Sequence, residues 1–168
     1  VHLTEAVWKN AADAPAAASL TGHMQTMLTK WGVTTVWDLG SNPSDGFALR
    51  RRINAGEVLG PNIFFAGSIF PRDGHPIYLP PEMQLPEAAS PERAEQLARS
   101  YMPMGLDGLK LFTGVFKGEG RPVVNMDASI AKAAVDVVHE RGRPAFAHPQ
   151  NRVGVDAVIA AGVDVMAH

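Results

Sequence analysis

Apolar and polar positions follow one repeating unit: a stretch with helical periodicity closes at a glycine, and a short β-rich run comes directly after it. Residues 13–31 place Leu20, Met24, Met27, Leu28 and Trp31 on one face, at the spacing of an amphipathic helix. Asp13 is placed to cap its start, and Gly32 suits the left-handed position past its end. The β-branched run 33–39 (VTTVWDL) follows. A helix over 91–102 opens on Ser90-Pro91, a cap followed by a proline at the first helical position, and Pro103 stops it before the run 108–112 (GLKLF). A helix over 127–141, capped by Asp127 and carrying Ile130, Ala134, Val137 and Val138, ends at Gly142 and leads into 144–148 (PAFAH). A helix over 153–161 ends at Gly162 and leads into 163–167 (VDVMA). A further strand over 62–66 (NIFFA) follows a short helix near 46–55 and the Gly60-Pro61 turn, and Val1-His2 reads as the tip of an earlier strand.

Strands that alternate with helices make parallel βα units, so the fold class is α/β. The runs are short and mostly apolar, as in a sheet covered by helices. Two architectures fit: an open doubly wound sheet and part of a (β/α)₈ barrel. The dinucleotide-binding version of the first needs a glycine-rich turn after its first strand, and Gly40-Ser41-Asn42-Pro43 is not one. A whole barrel needs ~250 residues, and this chain has 168. No linker or second domain is visible. Residues 68–91 stand apart, with six prolines and no period; a segment of that length is an ordered lid over a site or a plain surface loop.

Composition narrows the functional classes. Hydrophobic residues make up 46% and charged residues 19%, enough for a packed core. A net charge of −2 gives no footprint for nucleic acid or an anionic membrane, and the Arg50-Arg51-Arg52 run is a solvated helix face. With no cysteine, disulfides, zinc–thiolate sites and thiol catalysis are excluded. No apolar run approaches the ~18 residues of a membrane span. The chain starts at Val1, so the sequence does not speak to a leader peptide, and localisation is left open.

The informative feature is where polar residues fall on the strands. His148 closes PAFAH, His168 closes VDVMAH and His2 ends the first strand tip. Lys110 lies between Leu109 and Leu111, so if the leucines face the helices, alternation sends Lys110 to the opposite, barrel-lining face. A lysine there is costly unless it is paired, neutralised or chemically changed. Taken singly, a strand-end histidine satisfies backbone groups and a buried lysine is half of an ion pair. On that reading the chain is a non-catalytic α/β scaffold or binding fragment. Together, one lysine and three histidines at the ends of different parallel strands point to a metal site, because catalytic groups of barrel enzymes collect at that end. His75 and Tyr78 in the proline-rich segment, and Gln150 and Asn151 after His148, are candidates to touch substrate, against an ordinary loop role. Asp38 reads as structural, and His23 and His139 receive no role.

The stretches VHLTEAVW (1–8), GVTTVWDLGS (32–41), GLDGLKLFTG (105–114), AHPQN (147–151) and AGVDVMAH (161–168), in that order, resemble the amidohydrolase superfamily. The likeness is to its imidazolonepropionase- and prolidase-like branch, which carries a carboxylated lysine. The resemblance implies a (β/α)₈ barrel, here the tip of strand 1 and strands 2 to 6. It also implies one or two divalent ions, zinc in the first instance. Lys110 takes the place of the strand-4 lysine whose CO₂-derived carbamate bridges two metals. His148 and His168 match the histidines that hold the second metal, and His2 matches the second histidine of a His-x-His. Two such ions share a hydroxide, lower its pKa and polarise the carbonyl under attack, hydrolysing an amide or related C–N bond. A dipeptide or N-acyl amino acid is the favoured small-molecule substrate. The first histidine of the His-x-His, the strand-8 aspartate, strands 7 and 8 and the small β-sandwich have no counterpart. Residues 1–168 are therefore expected to be one incomplete metal-dependent hydrolase barrel domain, inactive alone, with open sheet edges that favour marginal stability or self-association.

Overall fold

A computed structural model describes residues 16–79 and 84–167. Asp13, His2 and His168, named above, lie outside the described residues. The chain forms two compact units, Val1–Ala66 and Gly67–His168.

In the first unit, helix α1 (Ala17–Met27) buries Leu20 and Met24. Its N-cap is Ala16, with no side-chain cap. The expected single helix to Trp31 breaks at Leu28, whose backbone leaves the helical region (φ −133°), and Thr29–Trp31 form one 3₁₀ turn. The tighter turn rotates Trp31 off the buried face, leaving it 71% exposed. Gly32 closes the turn with φ 80°, the left-handed conformation the sequence predicts. Strand β1 (Thr35–Asp38) pairs in parallel with the start of β2 (Asn62–Pro71), Thr35 opposite Asn62 and Asp38 opposite Phe65. Between them, helix α2 (Pro43–Asn54) starts earlier than its periodicity predicts, because Asn42 caps it by accepting from the Ser44 N–H. Asp38 is structural, accepting from the Gly40 and Ser41 N–H groups and, at 2.6 Å, from the Ser41 hydroxyl.

In the second unit, β2 runs on to Pro71, beyond the expected end at residue 66. Within this extension a Cβ at Gly67 would sit 2.7 Å from the Tyr101 ring and 2.8 Å from Leu106, so the close packing there requires glycine. The short β3 (Glu87–Ala88) pairs in parallel with Phe70 and Pro71. Helix α3 (Pro91–Tyr101) starts as predicted, Ser90 accepting from the Arg93 N–H. Strand β4 (Gly108–Leu111) leads into an unanticipated antiparallel pair, β5 (Gly114–Val115) with β6 (Val124–Asn125). Helix α4 (Ala128–His139) follows Asp127, which holds the N-cap position without the expected side-chain bond. Then come β7 (Ala145–Ala147), α5 (Arg152–Ala161) and β8 (Val165–Met166). In this unit β2, β4, β7 and β8 are successive neighbours, and β4–β7 and β7–β8 are parallel. The architecture is that of a partial (β/α)₈ barrel, a parallel sheet with helices packed on one face. Its core joins Leu109, Leu111, Ala145 and Ala147 of the strands to Ala94 and Ala98 of α3, Ala131, Ala134 and Val138 of α4, and Val158 and Ala161 of α5. Small residues, alanine and valine, make up most of the helix faces, which lets the helices lie close on the strands. Among the described residues, no helix is long and apolar enough to cross a membrane.

Candidate active site

Alternation on two adjacent strands builds the site. Leu109 and Leu111 enter the helix-side core, as do Ala145 and Ala147, which leaves Lys110 on the opposite face. In register, Lys110 lies beside Phe146, and Leu111 beside Ala147. His148 follows the end of β7 and extends the pairing: its N–H donates to the Leu111 carbonyl (2.8 Å) and its carbonyl accepts from the Gly114 N–H (3.2 Å). His148 therefore stands beside Phe112, at the C-terminal ends of both strands.

Lys110 is 0% exposed, and no described residue gives its Nζ a hydrogen bond or a carboxylate. Its Nζ lies over the face of Phe112, 5.2 Å from the ring centroid. Burial lowers its pKa from 10.5 to about 8. The ion pair that a scaffold reading requires is not made among the described residues. Phe112 stacks on Phe70 (4.2 Å between centroids, 10° between planes) and on the His148 ring (5.6 Å, 28°). One aromatic ring thus contacts both the lysine and the histidine.

A cavity of about 270 Å³ opens at this point, walled by Ile77, Tyr78, Phe112, Val115, Phe116 and His148, with Gly114 and Gln150. His148 Nε2 lies 2.9 Å from Gln150 Oε1; an Nε2–H that donates there leaves the ring lone pair on Nδ1. Gly114 is required: a Cβ would fall 2.6 Å from the Gln150 backbone N. Of the candidates, Lys110 and His148 meet around Phe112, and Tyr78, His148 and Gln150 share the cavity. His75 is not among the lining residues; its Nδ1 lies 3.0 Å from the Pro76 carbonyl. Asn151 caps α5, accepting from the Gly154 N–H at 2.9 Å. Sequence reasoning missed Phe112, Val115 and Phe116; carrying the alternation from Lys110 two residues further would have placed Phe112 on its face.

The described residues contain no group of three His, Asp or Glu side chains poised to hold a metal. The donors that are described nonetheless suit one. A buried lysine without a counter-ion among the described residues and with a lowered pKa is suited to exchange its charge for a carbamate, and an imidazole stands at the end of the adjoining strand.

No family model and no curated protein matches the chain. Solved structures do. A putative prolidase from Bifidobacterium longum shares 28% identity over 86% of this chain and 35% of its own, with a TM-score of 0.66. A Xaa-Pro dipeptidase with methionine bound in its active site shares 25% identity over 94% of this chain and 44% of its own, at a TM-score of 0.72. The chain resembles the amidohydrolase superfamily. A prolidase complexed with N-methylphosphonate-L-proline, at 19% identity, shares the fold over 98% of this chain and 45% of its own, with a TM-score of 0.72. This amidohydrolase-like chain thus spans less than half the length of each of these three proteins.

Proposed function

We propose that the protein is a metal-dependent hydrolase of amide or related C–N bonds, acting on a dipeptide or an N-acyl amino acid. The observation that carries the reading is Lys110: fully buried, at the C-terminal end of a parallel strand, without a carboxylate partner among the described residues, and close to His148 around one ring. The likeness to prolidases supports it.

Lys110 and His148 would hold one or two divalent ions, zinc in the first instance, together with His2 and His168. When bound, the ions lower the pKa of a water and polarise the scissile carbonyl. The chain's own residues prepare that site. Burial makes the Lys110 amine easier to deprotonate, and the neutral amine is the form that adds to CO₂ with loss of one proton to give the carbamate. Phe112 excludes water from the amine and fixes the plane of the His148 ring. Gln150 orients the imidazole through Nε2, the bond by which an outer group sets a ligand's tautomer. Tyr78 and Gln150, which line the cavity, are the proposed substrate contacts, ahead of His75, which is not among the lining residues, and Asn151, which caps α5.

In the full-length metal-loaded protein, Lys110→Ala should abolish turnover and lower the metal content. Unchanged stoichiometry and kcat would refute the assignment. Residues 1–168 alone are proposed to turn over no substrate, with or without added zinc. Purified residues 1–168 assayed for metal content, mass and amidase turnover test this; a monomeric, active preparation would overturn it.

A further inference from the structure

We propose that the cavity beside His148 is a selectivity pocket that takes an aromatic or branched apolar side chain of the substrate. The proposal rests on the amide-hydrolase reading and names the substrate class within it. Four of the lining side chains are Phe112, Phe116, Val115 and Ile77, and none of the described lining residues is an Asp, Glu, Lys or Arg. Among the described lining residues the polar groups come from Tyr78, His148 and Gln150, so a charged side chain entering the cavity would lose water and meet no counter-ion among them. At about 270 Å³ it is near the small end of ligand cavities, sized for one compact group.

The floor of the cavity links it to the chemistry. Phe112 touches the Lys110 amine with the same ring that stacks on His148, so a side chain seated on Phe112 brings its own backbone amide to the strand ends. The rim is fixed in advance. Lys117 Nζ donates to the Asp73 carbonyl at 2.7 Å, tying the segment after β5 to the segment after β2. A Cβ at Gly118 would lie 3.3 Å from Ile77, so the two segments meet across the opening. A rim already held in place costs the ligand little ordering, and selectivity then follows from apolar burial.

The test uses the full-length metal-loaded protein with N-acetyl-L-phenylalanine, -leucine, -lysine and -glutamate. kcat/KM for the phenylalanine and leucine compounds should exceed the other two by roughly tenfold or more, the range that burying one apolar side chain supplies. Phe116→Asp, at a residue 41% exposed and so tolerant of change, should raise the lysine compound relative to phenylalanine. In parallel, N-acetyl-L-phenylalaninamide is titrated into the metal-free protein while the Phe112 and His148 ring resonances are followed. Both should shift, and N-acetyl-L-lysinamide should leave them in place. Equal turnover of charged and apolar compounds, or an unmoved ratio in Phe116→Asp, would overturn the pocket. If no compound is hydrolysed, the amide-hydrolase reading falls, and the ring shifts alone then decide for or against the pocket.

Discussion

Replacing Lys110 by Met should make the metal-free protein more stable while removing its proposed activity. Met is close to lysine in length and apolar, so it suits the same face of this fully buried strand, against Phe112. The magnitude follows from the lysine's own titration. Burial lowers its pKa from 10.5 to about 8. At about 1.4 kcal/mol for each pH unit, the charged amine costs the folded state roughly 3 kcal/mol. The sign is that of a base with a depressed folded value. Between about pH 8 and about pH 10.5 the unfolded chain binds the proton and the folded chain has released it, so stability rises with pH across that window. Below about pH 8 both states carry the charge, and the full penalty stands. Urea unfolding of wild type and Lys110→Met, in CO₂-depleted buffer without metal, measures the difference directly. The variant should be more stable by roughly 3 kcal/mol at about pH 7, and the gap should close toward about pH 10.5. A variant that is less stable than wild type at pH 7, or a gap that ignores pH, would show that Lys110 has a favourable partner and would refute the argument. The cost fits a residue kept for chemistry at the expense of the fold.

Gly114→Ala should cost about 1–3 kcal/mol, because its Cβ would press on the Gln150 backbone at 2.6 Å and that backbone has no side-chain freedom to yield. An unchanged Tm would contradict it. Asn151→Ala should cost about 1 kcal/mol through loss of the α5 cap. Altered KM at unaltered stability would instead place Asn151 at the substrate. The Tyr101 hydroxyl, pushed up to about 12 by burial, donates to the Ser68 carbonyl at 2.6 Å. Tyr101→Phe should therefore lower stability by about 1 kcal/mol, read from the denaturation midpoint; no change would mean that water replaces the bond.

The alternation of helical and β-rich runs was enough to read parallel βα units and to place Lys110 opposite the leucines. Those are local signals: side-chain parity on a strand and capping chemistry at Ser90 and Gly32 act within a few residues. The signals failed where a distant neighbour decides. β2 continues through Gly67, against which Tyr101 and Leu106 pack closely, and the segment around it is buried on both faces, which erases the period of two. The end of α1 was misread because five apolar residues in helical register cannot show that Leu28 leaves the helix. Asn151 carries the same ambiguity, since one amide side chain suits a mouth or a cap equally well until Gly154 is seen beneath it. The cavity was beyond reach for the same reason. Its walls come from the segment after β2, the end of β4 with β5, and the end of β7, and the closeness of Gly114 to Gln150 appears only when strands far apart in sequence are set side by side. Parity along one strand is a property of adjacent residues; which rings meet across two strands depends on register, and register is set by the whole buried face.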